Sequence, residues 1–167
     1  LSDVLKIEKL NREHILDGFD CGQDDLNRWL PGYAQQNQSA NSSQTYVGVF
    51  GKVVVGFYSL AAGQVDYADA PERLRKGLAR HPLPVVLLAR LAVDKAWQGK
   101  KLGRGLLRDA VTRTIQAADI VGIRAMAVHA KDDYASAYYQ QFDFAPSPTD
   151  PWHLFALLKD LRKSLGE

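Results

Sequence analysis

The sequence is poor in the residues that tie small proteins together covalently. It holds one cysteine, Cys21, so an internal disulfide framework is excluded and a reducing cytoplasm is the simplest setting. Cys21 lies in Phe19-Asp20-Cys21-Gly22, where the neighbouring acid disfavours a thiolate, so its expected role is structural. No apolar run approaches the length needed to span a bilayer. The opening Leu1-Ser2-Asp3-Val4-Leu5-Lys6 lacks a basic segment followed by an apolar stretch and does not read as a secretory signal. No pair among His14, His81, His129 and His153 has metal-ligand spacing, and there is no His/Cys cluster, so no metal is expected. Excess charge is missing too. The formal net charge is +2, below that of a dedicated nucleic-acid binder.

What is present suits one soluble globular domain. The 167 residues are 46% hydrophobic and 24% charged, enough for one buried core and too few for two comfortable domains. The cations are unevenly placed. Arg73, Arg75, Lys76 and Arg80 fall in a stretch without acids, as do Lys95, Lys100, Lys101, Arg104 and Arg108. Two local patches can therefore face an anion while the whole chain stays near neutral.

Periodicity gives the order of elements. Residues 4–9 read as a strand, and 24–33 as a short helix with Leu26, Trp29 and Leu30 at helical spacing. The polar run 35–44 (QQNQSANSSQ) is the most loop-like segment. Residues 46–50 and 53–61 are two strands joined at Gly51-Lys52, a turn that suits a hairpin. Residues 71–78 form a short basic helix opened by Pro71, and 84–93 (PVVLLARLAV) a buried central strand. Residues 102–118 carry the clearest helical stripe, Leu102, Leu106, Leu107, Val111 and Ile115. A strand over 123–130 follows, then a helix over 134–142 capped by Asp132 or Asp133. A final strand over 153–158 leads to a charged tail. This order predicts an α/β (α+β) single domain, residues 1–167, with a mixed sheet flanked by helices.

The chemistry gathers where the central strand meets the long helix. Gly99, Gly103 and Gly105 let the backbone approach a ligand closely. The amides that open the helix are free donors, and the helix dipole favours an anion there. Lys100, Lys101 and Arg104 add charge. No Gly-Lys-Ser/Thr occurs, which excludes a P-loop, and Gly-x-Gly-x-x-Gly is absent, which excludes the dinucleotide fingerprint. On the residues alone, a pyrophosphate cradle and an ordinary strand–helix turn stay equally open.

Gln98-Gly99-Lys100-Lys101-Leu102-Gly103 resembles the acetyl-CoA motif of the GNAT superfamily of N-acetyltransferases, with Lys101 at the usual middle glycine. Arg90-Leu91-Ala92-Val93 resembles that family's splayed central strand. Asp132-x-x-Ala135, then Ala137-Tyr138-Tyr139-Gln140-Gln141-Phe142-Asp143-Phe144, resembles its Asn-x-x-Ala…Phe-Tyr-x-x-x-Gly-Phe, with Asp132 for Asn and Asp143 for Gly. The resemblance implies a GNAT fold whose splayed strand holds acetyl-CoA. It implies cofactor contacts from Leu91, Ala92, Val93, Gln98, Gly99, Lys100, Lys101, Leu102, Gly103, Arg104, Gly105 and Asp132. It also places Tyr139 as the general acid that protonates the departing thiolate.

Further blocks narrow the family. Phe19-Asp20-Cys21-Gly22…Leu26-Asn27-Arg28-Trp29-Leu30, the strand Pro84–Asp94, Leu106–Ala110 and Phe142–Pro148 resemble the acetyltransferase toxins of bacterial type II toxin–antitoxin modules. That subfamily acetylates the α-amine of aminoacyl-tRNA and blocks translation. The resemblance implies a dimer, a ribbon–helix–helix antitoxin and operator DNA bound through the antitoxin complex. An α-amine beside an ester has a pKa below the ordinary 7.7–8.0, so no strong protein base is required. Arg73, Arg75, Lys76, Arg80 and Arg90 are candidates for tRNA phosphate contacts, with a solvated basic face as the plainer reading. Acetylation of a small amine or protein amino terminus, or a non-catalytic CoA-binding module, are the alternatives.

Overall fold

The computed structural model describes residues 5–164. The elements run β1 (Leu5–Lys9), α1 (Asp24–Ser39), β2 (Gln44–Phe50), β3 (Val53–Val65), α2 (Glu72–Arg75), β4 (Leu83–Val93), α3 (Leu102–Ala118), β5 (Ala125–His129), α4 (Asp133–Gln140), β6 (Ala145–Pro146), β7 (His153–Leu157) and α5 (Leu158–Ser164). The strands form a seven-stranded sheet in the order β1-β2-β3-β4-β5-β7-β6. β4 and β5 pair in parallel, from Val85↔Ala125 to Leu88↔Val128, while β1–β2, β2–β3, β5–β7 and β6–β7 are antiparallel, so the sheet is mixed as expected. Two compact units divide the chain: one runs to Ala61 and takes in Ala89–Ala110, the other comprises Ala62–Leu88 and everything from Val111.

In the first unit, β1, β2 and β3 form an antiparallel meander. Gly51 turns the β2–β3 hairpin at φ 68, a backbone state that costs glycine nothing. Phe57 is fully buried. Phe19 meets its ring edge-on at 5.6 Å and Trp29 stacks on it at 5.9 Å. Burying such a ring contributes roughly 1.5–3 kcal/mol. The first turns of α3 seat closely on Gly56, where Leu106 and Leu102 reach the space a side chain would need, while Gly48 lies at ordinary contact distance from both leucines.

In the second unit, β5 pairs with β4 and with β7, and its Ala125 and Ala127 join Leu74, Val85, Phe155 and Leu157 in one apolar core. Arg124 ties the end of α2 to the start of β5 by donating to the Leu74 carbonyl at 2.8 Å. Ser147 and Thr149 donate to the backbone carbonyl and side chain of Asp69 at 2.6 and 2.7 Å. Among the described residues, no helix is long and apolar enough to cross a membrane.

Three expected boundaries are corrected. Helix α1 does not stop at Tyr33 but continues through the polar run to Ser39, with Pro31 inside it. Gln38 anchors the extension: its side chain donates to the Leu10 carbonyl at 2.8 Å and accepts from Thr45 N at 2.9 Å. The basic helix expected over 71–78 shrinks to four residues, because Gly77 turns left-handed at φ 79. The charged tail is instead helix α5, which buries Leu158 and Leu161. The first residue of the strand expected at 4–9 lies outside the described residues.

A Cβ at Gly56 would sit 2.9 Å from Leu106 Cδ1 and 3.2 Å from the Ala92 carbonyl oxygen. Gly56→Ala should therefore destabilise the protein by about 1–3 kcal/mol through overpacking, measured as a lower midpoint in urea.

Candidate active-site residues

The glycine turn is built from the first unit. Strand β4 ends at Val93, and Asp94 caps a single 3-10 turn over Lys95–Trp97, accepting from Ala96 N at 2.9 Å. The other oxygen of Asp94 accepts from Asp20 N at 3.1 Å, and Lys95 N donates to the Asp20 carbonyl at 2.8 Å. The Asp20 carboxylate in turn accepts from Gly22 N and from the Asn27 amide, both at 2.9 Å. Those bonds, the Gly22 amide first, hold its pKa below the ordinary value. The segment Phe19–Gly22 is thus a brace under the turn.

Gln98 completes the brace. Its side-chain nitrogen donates to the Cys21 carbonyl at 3.1 Å and the Val93 carbonyl at 2.9 Å. Both hydrogens of that amide are therefore spent on the protein. Beyond it the chain is open: Gly99, Lys100, Lys101 and Arg104 are exposed. Gly105 N donates back to Lys101 O at 3.1 Å, while the amides of Gly99, Lys100, Lys101, Leu102 and Gly103 make no hydrogen bond among the described residues. The Leu102 side chain is buried, so only its backbone faces outward chemistry. Unpaired amides at a helix start, beside three cations, are the donor set that a pyrophosphate requires. Acetyl-CoA fits that set.

Lys101 has φ 68 and Gly99 has φ 79. The motif position that lacks glycine keeps a glycine-like backbone. Asp143, the other position where the sequence departs from glycine, has φ 69.

In the second unit, Asp132 rather than Asp133 caps α4, accepting from Ala135 N at 2.8 Å. Its carboxylate is thereby committed to the helix. Tyr139 projects from α4 with its ring packed edge-on against Phe144 at 5.8 Å and Tyr138 at 5.4 Å. Only 9% of Tyr139 is exposed, and its hydroxyl makes no hydrogen bond among the described residues. A buried tyrosine usually satisfies its hydroxyl, as Tyr58 does by donating to Asp109 at 2.6 Å. Burial, with a smaller push from Tyr138, raises the Tyr139 pKa well above the ordinary 10. Its proton is therefore held at every physiological pH.

The basic residues have different partners. Arg73 makes a bidentate pair with Asp160 at 2.6 and 2.8 Å. Arg75 and Arg80 lie over the Tyr67 ring at 5.4 and 5.6 Å. Arg90, in the other unit, lies over Trp29 at 3.9 Å. Lys76 is exposed. Two histidines form an unanticipated pair: His129 and His153 sit opposite each other in the β5–β7 ladder with rings stacked at 3.9 Å. Burial, then His129, lowers the His153 pKa. Sequence reasoning also missed the brace, although Asp20-x-Gly22 is the pattern of a side-chain-closed turn.

The profile of the acetyltransferase (GNAT) domain family matches residues 41–146. The tRNA-acetylating toxin of Mycobacterium tuberculosis is 48% identical over 89% of this chain and 89% of its own length. Among solved structures, the toxin AtaT complexed with acetyl-methionyl-tRNA superposes with a TM-score of 0.90 at 26% identity, covering 97% of this chain and 99% of its own. A Tyr-to-Phe mutant of AtaT, bound to acetyl-CoA and the C-terminus of the antitoxin AtaR, gives 0.85 at 26% identity, covering 99% and 100%.

Two outcomes follow from the local chemistry. A non-glycine residue in the left-handed region costs about 1–2 kcal/mol, partly offset by the backbone entropy that glycine loses on folding. Lys101→Gly should therefore stabilise the fold by about 0.5–1 kcal/mol in chemical denaturation. The depressed His153 pKa favours the neutral ring in the folded state. Stability should be full above the unfolded value of about 6.5 and fall as pH drops below it. His153→Gln should flatten that fall when melting is followed from pH 7.5 to 5.

Proposed function

The chain belongs to the GNAT acetyltransferase family, among its tRNA-acetylating toxins, and we propose that it is the toxin of a type II toxin–antitoxin module that transfers acetyl from acetyl-CoA to the α-amino group of aminoacyl-tRNA. The observation that carries the catalytic assignment is Tyr139, a buried residue whose hydroxyl has no hydrogen-bond partner among the described residues. The product blocks the amine that peptide elongation needs.

Each residue has a stated part. The open amides of Gly99, Lys100, Lys101, Leu102 and Gly103 receive the pyrophosphate, with Lys100, Lys101 and Arg104 supplying charge. Gln98 acts through its braces rather than through its side-chain nitrogen. Backbone groups of Leu91, Ala92 and Val93, where β4 runs on past Leu88, the last residue paired with β5, hold the pantetheine arm. Asp132 contributes by fixing the start of α4. Acetyl-CoA supplies a thioester that an amine can attack, forming an amide as the carbon–sulfur bond breaks. Tyr139 gives its proton to the departing sulfur and regains one from solvent, as the attacking nitrogen loses its own. The raised pKa keeps this donor loaded, so Tyr139 imposes no alkaline limit on activity below about pH 10.

Arg73, Arg75, Lys76, Arg80 and Arg90 are the proposed contacts to tRNA phosphates, with Arg73 already engaged by Asp160. The antitoxin is the expected ribbon–helix–helix partner, and the complex occupies operator DNA. A homodimer in the cytoplasm is the working form. Residues 1–167 are taken as one GNAT domain, since β3, β4 and α3 each give residues to both compact units.

The test is transfer of labelled acetyl-CoA to charged tRNA. The wild type should label the aminoacyl group. Tyr139→Phe should lower kcat about 100-fold or more and leave the KM for acetyl-CoA within about twofold, since only the proton donor is removed. No label on the aminoacyl group with wild-type protein would overturn the substrate assignment.

A further inference from the structure

The second unit contains a cavity of about 480 Å³ that begins at Arg73 and Lys76 and takes in three further cations, Arg124, Lys159 and Arg162, to which no role has been given. Five cations from three segments line it: Arg73 in α2 with Lys76 just past its end, Arg124 before β5, and Lys159 and Arg162 on α5. Asp160 neutralises Arg73 and Asp119 neutralises Arg162 at 2.9 Å. Arg124 is fixed by its bonds to the Leu74 and Lys76 carbonyls. Lys76 and Lys159 are exposed and make no salt bridge among the described residues. The cavity therefore keeps a surplus of positive charge, with one guanidinium held rigid by backbone and two ammonium groups left to a ligand.

We propose that this cavity binds phosphates of the RNA backbone, so that Arg124, Lys159 and Arg162 extend the Arg73 and Lys76 contacts into an anchoring pocket for the tRNA substrate. The inference rests on the tRNA reading given above. The rest of its lining decides between RNA and a free nucleotide. Ala118, Ile123, Leu157 and Leu158 make up the remainder, so no acid, amide or hydroxyl side chain is present among the described residues to read a base edge. A site that recognises a free nucleotide needs such groups to fix the base. A site that meets charge alone suits the repeated, sequence-independent phosphates of a nucleic-acid strand. Lysines that make no salt bridge among the described residues serve such contacts well, because forming them breaks no existing ion pair.

The decisive variant is Lys76→Glu with Lys159→Glu in the full chain, checked by an unchanged melting curve. A milder double variant to glutamine guards against a local folding defect. Binding of uncharged tRNA is followed by fluorescence anisotropy with acetyl-CoA saturating, across a series of salt concentrations. Kinetics are measured on aminoacyl-tRNA. The KM for aminoacyl-tRNA should rise about tenfold at low salt, with kcat and the KM for acetyl-CoA within about twofold. The slope of log affinity against log salt should become shallower by about 1.5, the loss of two phosphate contacts. An unchanged KM and slope would overturn the proposal while leaving acetyl transfer to tRNA intact. So would micromolar binding of AMP or pyrophosphate that the variant abolishes while tRNA binding persists, or loss of binding to a polyglutamate peptide alone. If the wild type binds tRNA through these lysines but transfers no acetyl to it, the substrate assignment fails and the cavity's role stands.

Discussion

The turn depends on two side chains committed to the protein, both oxygens of Asp94 and both amide hydrogens of Gln98. Asp94 takes one hydrogen bond from its own turn and one from Asp20. Gln98 gives both amide hydrogens to carbonyls, one at the end of β4 and one in the Phe19–Gly22 segment. Each bond is worth only about 0.5–1.5 kcal/mol net, but they share one short stretch of backbone and are lost together. Their effect is to fix the path of Gly99–Gly103 without using its amides. Donors aimed in advance at a ligand need no reorganisation when it arrives. The same division of labour holds in α4, where Asp132 satisfies the helix start and Tyr139 is left with a hydroxyl that has no partner among the described residues.

Much of this was legible in the sequence where burial and periodicity agree. The stripe from Leu102 to Ile115 marks α3, whose observed limits are those expected. The apolar run before the turn became β4. Failures came where a single polar contact outvoted composition. Residues 35–39 look like a loop because they are polar, yet Gln38 reaches two backbone groups and keeps the helix going. The α5 helix was hidden by its charges, although Leu158 and Leu161 at a spacing of three were there to be read.

Charge was the least legible property. A run of cations in a sequence says nothing about where each side chain finds its partner. Arg73, Arg75, Lys76 and Arg80 lie close together in the chain but divide among an aspartate, a tyrosine ring and a cavity. The cavity also draws on α5, more than eighty residues further along, a neighbour that no local pattern announces. The nature of the acceptor amine was equally beyond the residues themselves. It came from the likeness of whole blocks such as Phe19–Gly22, whose physical task is to brace the turn rather than to touch an amine.

The left-handed torsions at Lys101 and Asp143 carry a consequence for how such proteins diverge. The chain on either side imposes both angles, and a lysine or an aspartate can occupy them at modest cost. The heritable feature is then the bend, and glycine is merely its cheapest occupant. Mutation can pass through these positions, trading side chains and surface charge, without moving the atoms that matter. A search keyed to glycine letters would overlook descendants that had kept every angle.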